Sequence, residues 1–178
     1  MPEFMRLESA TLNIMASTLR FFLSHSMLDA SEVEKLQETI VGLGVSVYLA
    51  ENDPQPGMNL AAKVIAEIKA SDAVVVLLAE GGASSPWVQQ EIGAAMAAGK
   101  LVVPIVQAGI DAKMAGLAGL EYISVDFASP SDSAVIVSSA LEPLVRRHAE
   151  EQARQAQQEM LVALGLVALV LLIAYSSK

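Results

Sequence analysis

A tryptophan and a glutamate lie four residues apart in the segment SSPWVQQEIGAAMAAGK, which is otherwise rich in alanine and glycine. Positions i and i+4 share one face of a helix, so Trp87 and Glu91 are expected to lie side by side within its first two turns. A carboxylate there could stabilise positive charge that develops in a transition state. It could equally be a solvated acid favoured by the helix dipole, and the indole could be ordinary core packing.

The elements that would position this pair alternate along the chain. From Leu19 onward, short β-branched or aromatic runs are followed by helical patterns, as in parallel strands joined by crossover helices. The run Ala73–Ala79 is apolar without alternation and is expected at the sheet centre, whereas Pro104 predicts a less regular or edge-like strand. The sequence therefore predicts an α/β fold, a five-stranded parallel sheet flanked by helices. The predicted strands are LRFFLS, VSVYLA, AVVVLLA, LVVPIV and YISVDF.

Serines mark the starts of two predicted helices. Ser31 and Glu34 have the spacing of a capping box, and Ser84 or Ser85 can cap the helix of Trp87, in which a proline follows directly. The segment DAKMAGLAGL is expected to be a short helix or a loop. A further helix, LAAKVIAEIKA, is expected to pack on the sheet through one apolar face. That face comprises Leu60, Val64, Ile65 and Ile68.

Three loops are expected to meet at one edge of this sheet. In an open α/β sheet, ligands bind outside the carboxyl ends of the strands. The first strand ends at Ser24, His25 and Ser26, the second leads into residues 50–59, and the third into residues 80–85. The helix that carries the tryptophan and the glutamate starts immediately after the third loop. Both side chains are therefore expected beside the same crevice.

Composition excludes several classes of function. The net charge of -9 and the isoelectric point near 4.6 would repel a phosphate backbone, so nucleic acid is not an expected partner. The chain has no cysteine, and its two histidines have no metal-ligand spacing, so neither disulfides nor a metal site are predicted. The segment GLGVSV precedes a strand and lacks the third glycine of a dinucleotide fingerprint, and no Walker loop occurs.

The composition changes abruptly towards the C-terminus. Residues 18–145 are expected to form the α/β domain and residues 146–159 a polar helical connector. Residues 160–175, MLVALGLVALVLLIAY, predict a hydrophobic C-terminal helix that is apolar on all sides. Such a helix would span roughly 24 Å, somewhat less than a hydrocarbon core of about 30 Å. A transmembrane anchor is the preferred interpretation, and a buried oligomerisation helix is the alternative.

Several blocks, taken in order, resemble a Toll/interleukin-receptor (TIR) domain of bacterial type. They are FFLSHSMLD, ENDPQPGMNLAAKVIAEIKASDAVVVLLAE and SSPWVQQEIGAAMAAGKLVVPIV. The resemblance implies a flavodoxin-like sheet and, in many bacterial members, cleavage of the nicotinamide–ribose bond of NAD. The family's catalytic glutamate corresponds to Glu91, and the expected substrate-binding residues are Ser24, His25, Ser26 and Trp87. NAD is the substrate, and no separate cofactor is expected.

The resemblance also implies self-association. In TIR enzymes the BB loop, here residues 50–59, commonly borders the active site of the next copy, so Asp53, Pro56 and Gly57 are expected assembly residues. For Gly57 the alternative is that a turn requires glycine there. The preferred interpretation is a self-assembling NAD glycohydrolase of bacterial antiphage or stress defence. Its domain would lie in the cytoplasm, anchored to the inner membrane by the C-terminal helix. A non-enzymatic TIR scaffold or adaptor and a cyclase that makes a cyclic ADP-ribose signal are the alternatives.

Overall fold

The computed structural model describes residues 18–111, 117 and 119–176, without the side chains of residues 167–174. The chain divides into two compact units, Thr18–Pro143 and a second unit that includes residues 144–176. Most of the segment DAKMAGLAGL lies outside the described residues, so its expected conformation stays a prediction.

The larger unit is built on a five-stranded parallel sheet, which confirms the predicted fold class. Its strands are β1 (Arg20–Ser24), β2 (Ser46–Tyr48), β3 (Ala73–Leu78), β4 (Leu101–Gln107) and β5 (Ile123–Val125). They lie in the order β2-β1-β3-β4-β5, so the chain reverses its direction of winding between β1 and β3. β3 is central and all of its residues are buried, as its unalternating sequence predicts.

β4 lies inside the sheet, so the prediction of an edge-like strand at Pro104 is wrong. This strand pairs with β3 along its length, including Pro104 opposite Val76. Its pairing with β5 begins only at Ile105. A proline has no N–H to donate to a ladder. The sheet accommodates it because the stretch paired with β5 starts at the next residue.

The described helices flank the sheet, and the last of them ends at Ser176. They are α1 (Ala30–Gly42), α2 (Leu60–Ala70), α3 (Pro86–Ala97) and α4 (Pro130–Ser176), with single 3₁₀ turns at Met27–Asp29 and Ala50–Asn52. The start of α3 confirms the predicted cap. Ser85 Oγ accepts a hydrogen bond from the N–H of Val88 at 3.4 Å, and Pro86 is the first helical residue.

The inward face of α2 differs from the predicted one. Val64 and Ile68 are buried as expected, but Leu60 is 52% exposed and Ile65 is 42% exposed. The third buried residue of this helix is Lys63, whose ammonium bonds to the BB loop. The core below it lies between α2, α3 and the sheet. Its members include Phe22, Val74, Val76, Val88 and Ile92.

The capping box predicted at Ser31 and Glu34 does not form. The chain makes its 3₁₀ turn first, so α1 begins at Ala30 and Ser31 falls inside its first turn. The Ser31 hydroxyl donates to Glu32 Oε1 at 3.3 Å instead. Asp29 occupies the N-cap position, yet its side chain makes no cap hydrogen bond, because it is used elsewhere.

Asp29 joins the loop after β1 to the loop after β3. It is 3% exposed, and its two carboxylate oxygens accept hydrogen bonds from the N–H groups of Gly81 and Gly82 at 2.8 and 2.7 Å. The approach requires glycine, since a Cβ on Gly82 would lie 2.6 Å from the carbonyl oxygen of Leu77. This clamp fixes the segment that leads into α3.

In the second unit, α4 continues to Ser176. The described side chains of residues 160–166 are exposed. Among the residues whose placement is described, no helix combines the length and the apolar character needed to cross a bilayer, and the predicted anchor has no support there. The rest of the predicted segment before Tyr175, residues 167–174, lies outside the described side chains.

We expect Asp29→Ala to destabilise the larger unit by roughly 3 kcal/mol, because it leaves two buried N–H groups without an acceptor. Asp29→Asn keeps one acceptor oxygen and should cost less. Urea denaturation gives the free energies of unfolding, with Glu34→Ala on the exposed side of α1 as the matched control. A loss below about 0.5 kcal/mol for Asp29→Ala would mean that other contacts hold the two loops together.

Candidate active site

Glu91 lies in the second turn of α3 with its carboxylate withdrawn from water. The residue is 4% exposed, and its Oε2 accepts a hydrogen bond from Ser24 Oγ at 2.5 Å. Ser24 is the last residue of β1 and is fully buried. The interpretation of Glu91 as a solvated first-turn acid is therefore wrong, because the end of a central strand covers it.

The indole of Trp87 lies beside the Glu91 carboxylate and lowers its pKa. The two residues lie on one face of α3, as their spacing predicts. The indole is half-buried and packs against the hydrophobic core through part of its surface. Trp87 therefore both packs against the core and lies beside Glu91, so the two interpretations are compatible.

Burial changes the acidity of this carboxyl group. Removal from water disfavours the charged form and raises the pKa of Glu91 from 4.5 to about 7. The hydrogen bond from Ser24 and the adjacent indole of Trp87 favour the carboxylate and oppose this effect, while the negative charge of Glu51 adds to it. Glu91 therefore changes its charge near neutral pH, which suits a group that must stabilise a transient cation.

An open cavity of about 300 Å³ lies against this carboxylate, at the ligand-binding edge of the sheet that the sequence predicts. Its apolar lining includes Met27, Leu60 and the indole of Trp87. Its polar lining consists of His25, Glu51 and Glu91. A flat ring could lie against the apolar side with its substituents towards the carboxylates.

His25 faces this cavity and is held at both ring nitrogens. Its Nδ1 lies 3.2 Å from the carbonyl oxygen of Leu23, and its Nε2 lies 2.8 Å from Glu51 Oε1. Both partners are acceptors, so the two hydrogen bonds form together only when the ring carries both protons. Sequence reasoning singled out His25 but missed Glu51. Glu51 lies at the start of the BB loop, and its position shortly after β2 is the one sequence signal that could have indicated it.

Ser24 and Ser26 are not among the described residues that line the cavity. Ser24 lies behind Glu91 and acts on it directly. Ser26 is buried and accepts a hydrogen bond from the N–H of Leu28 at 3.3 Å, which caps the 3₁₀ turn. Contact of these serines with a substrate therefore stays a prediction. In the part of the chain that the structure describes, no cluster of side chains is placed to hold a metal ion.

Comparison with known families decides the classification of the chain. The family model of the TIR domain matches residues 21–136. The chain belongs to the TIR-domain family. This confirms the family that the sequence blocks resemble. No protein with a curated description matches the sequence.

Solved structures share the fold of this TIR domain at low sequence identity. The TIR domain of the Toll-related receptor TRR-2 from Hydra magnipapillata aligns with a TM-score of 0.51 at 12% identity, over 75% of this chain and 97% of that chain. A TIR-STING receptor from C. gigas in complex with 2′,3′-cGAMP aligns at 0.52 and 20% identity, over 68% and 40%. The CMP N-glycosidase BcmB of Clostridium botulinum aligns at 0.48 and 19%, over 70% and 98%. At these identities the likeness to the first two structures shows the fold alone, and no argument is drawn from the alignment with BcmB.

The BB loop of this TIR domain is anchored by a buried lysine. The ammonium of Lys63 hydrogen bonds to the carbonyl oxygen of Asp53 and lies 3.1 Å from Asp53 Oδ2. Tyr48 donates its hydroxyl to the same carboxylate at 3.2 Å, and the Lys63 hydrogen bond holds the pKa of Asp53 below its usual range. Asp53 thus stabilises the loop from within. Pro56 and Gly57 are exposed, and Gly57 has a φ of 87° that favours glycine.

The raised pKa of Glu91 predicts a pH-dependent stability. The folded state binds the Glu91 proton more tightly than the unfolded chain does, so this proton stabilises the folded state. The stabilisation is full below about pH 4.5 and is lost as the pH rises through about 7. The wild type should lose about 3 kcal/mol over this interval relative to Glu91→Gln, which cannot ionise.

Denaturant titrations of both proteins at pH 5, 6, 7 and 8 measure this difference in the free energy of unfolding. Other titrating groups are common to the two proteins and cancel in the comparison. If the difference stays constant from pH 5 to pH 8, the Glu91 carboxyl group is not shielded from water as the structure has it.

Proposed function

We propose that this TIR domain is an NAD glycohydrolase in which Glu91 is the catalytic carboxylate. The observation that carries the proposal is a buried, readily titrated carboxylate that faces an apolar cavity at the ligand-binding edge of the sheet. The family resemblance adds NAD as the substrate, because the family's catalytic glutamate corresponds to Glu91.

The reaction suits a site with one carboxylate beside the reacting carbon. The bond between C1′ of the ribose and the pyridinium nitrogen breaks, and both electrons pass to the nitrogen, which becomes neutral. The sugar becomes an oxocarbenium-like cation, water adds its oxygen to C1′, and one proton is released. No acid is needed for the leaving ring, so the ionised carboxylate can serve by stabilising the positive charge on the sugar.

Ser24 and Trp87 support this role by orienting the carboxylate. The Ser24 hydroxyl behind the group donates to one of its oxygens, and the indole of Trp87 lies beside the group before the substrate arrives. Preorganised charge in a dry site acts more strongly than the same charge in water. The indole also offers an apolar surface to the departing nicotinamide ring.

The two alternatives remain distinguishable by experiment. A scaffold would use Glu91 only as a buried structural acid, and its hydrogen bond from Ser24 is compatible with that role. A cyclase would use the same bond cleavage but let an adenine nitrogen take the place of water. Chromatography of the products separates ADP-ribose from its cyclic form.

We expect Glu91→Gln and Glu91→Ala to lower kcat for nicotinamide release from NAD by roughly ten- to a thousandfold, the usual effect of removing one charge-stabilising group. Glu34→Gln, exposed on α1, is the matched control. In the wild type, kcat/KM should rise as the pH passes about 7, because the carboxylate is the active form. Full turnover by either Glu91 variant would mean that Glu91 is not the catalytic carboxylate, whereas a wild type that releases no nicotinamide would leave the scaffold interpretation.

We further propose that assembly through the BB loop controls activity. The support is the exposure of Pro56 and Gly57 on a loop that Lys63 and Asp53 hold at the cavity edge. Asp53→Ala, Pro56→Ala and Gly57→Ala should reduce self-association and specific activity together, whereas Glu38→Ala on α1 should change neither. Analytical ultracentrifugation and nicotinamide release over a range of concentrations measure both. Specific activity that stays flat while association changes would contradict the coupling.

A membrane anchor at residues 160–175, with the TIR domain in the cytoplasm of a bacterium and a role in antiphage or stress defence, is likewise a proposal. Its support is the apolar sequence of that segment and the arginines that precede it. The full chain should resist carbonate extraction from membranes, and a chain that ends at Glu159 should not. A full chain that appears instead as a defined oligomer in the soluble fraction, with the shorter chain monomeric, favours the oligomerisation helix.

A further inference from the structure

Two acidic side chains share the cavity, and His25 is the one basic side chain among the described residues that line it. Glu51 enters from the start of the BB loop and Glu91 from α3. Among the described residues that line the cavity there is neither a lysine nor an arginine. Lys63, a buried basic residue of α2, has its ammonium engaged by Asp53 and by the carbonyl oxygen of Ala50 at 3.5 Å.

The groups that face Glu51 leave this charge only partly balanced. His25, directly after β1, offers its Nε2 at 2.8 Å, and the negative charge of Glu51 acts through space on the Glu91 carboxyl group of α3. Like charges in one cavity raise the cost of ionising each other. A positive charge that enters between them lowers this cost, whereas a negative charge increases it.

We propose that Glu51 is a specificity-determining residue that makes this cavity select a positively charged aromatic ring, of the pyridinium class, over neutral or zwitterionic rings of the same shape. The inference rests on the proposed function, since it assigns the ring of the N-glycoside substrate to this cavity. The apolar side, formed by Met27, Leu60 and the indole of Trp87, receives the face of the ring, and the two carboxylates recognise its charge.

The same arrangement explains how the product leaves. Cleavage turns the pyridinium cation into a neutral ring, so the attraction that retains the substrate is lost at the moment the bond breaks. The cavity therefore binds the ring of the substrate more tightly than the free ring that the reaction releases.

The single tryptophan of the chain makes this preference measurable without turnover. Trp87 lines the cavity, so a ring bound against it should quench its fluorescence in a saturable way. The probes are 1-methylnicotinamide, which is a cation, 1-methylnicotinate, which is a zwitterion, and neutral nicotinamide. We expect the cation to bind about tenfold more tightly than either of the others, with a difference that shrinks at high salt.

Variants assign the preference to Glu51. Glu51→Gln should bring the three dissociation constants to within about threefold of one another, Glu51→Asp should keep the cation preference, and Glu34→Gln should match the wild type. Binding of the cation should strengthen in the wild type as the pH rises through about 7. In Glu51→Gln this midpoint should lie lower, because the Glu51 charge raises the pKa of Glu91.

Equal affinity of the wild type for all three probes would overturn the proposal, as would a cation preference that Glu51→Gln leaves intact or that Glu51→Asp abolishes. Nicotinamide release from NAD, assayed on the same wild-type sample, reports on the proposed function alone. A protein that cleaves NAD but binds the three probes alike would keep its enzymatic assignment and lose the selectivity. A protein that prefers the cation but releases no nicotinamide would keep the selectivity and lose its enzymatic assignment.

Discussion

The site depends on one constraint, which is that a carboxylate must stay both ionisable and out of water. Glu91 meets it because Ser24, at the end of β1, donates a hydrogen bond from behind and the indole of Trp87 lies beside the carboxylate, one turn earlier in α3. Without these two groups, burial would raise the pKa of the carboxyl group further. With them, its pKa of about 7 leaves it responsive to a cation in the cavity.

The loops around the cavity owe their positions to two other charged side chains, neither of which faces the substrate space. Asp29 ties the loop after β1 to the loop after β3, and Lys63 ties the BB loop to α2. Each is a buried charged side chain that hydrogen bonds to backbone groups, and a hydrogen bond to a charged group is stronger than one between neutral groups. The consequence is that Glu51 and His25 are presented beside Glu91 by loops that are fixed at both ends.

Local sequence patterns predicted the features that depend on residues close together in the sequence. The strands, the cap of α3 and the shared face of Trp87 and Glu91 follow from periodicity and helix geometry. The hydrogen bonds of Glu91 with Ser24 and of Asp29 with Gly81, and the contact of Lys63 with the BB loop, could not be predicted in this way. The first two join residues that lie 67 and 52 positions apart in the sequence. The errors have the same origin. The buried face of α2 includes Lys63, whose partners lie in the BB loop, and Leu60 lines the open cavity instead of the core. The lost capping box follows from a 3₁₀ turn ahead of α1.

The most direct measurement is the titration of the Glu91 side chain itself. Infrared difference spectra of the wild type against Glu91→Gln, recorded in D₂O between pH 4 and 9, isolate the carboxyl and carboxylate bands of this one residue. The structure predicts a midpoint near 7, with a protonated band whose frequency indicates a hydrogen-bonded and dry environment. A midpoint near 4.5, the ordinary value for a glutamate in water, would contradict the buried carboxylate on which the proposed chemistry depends.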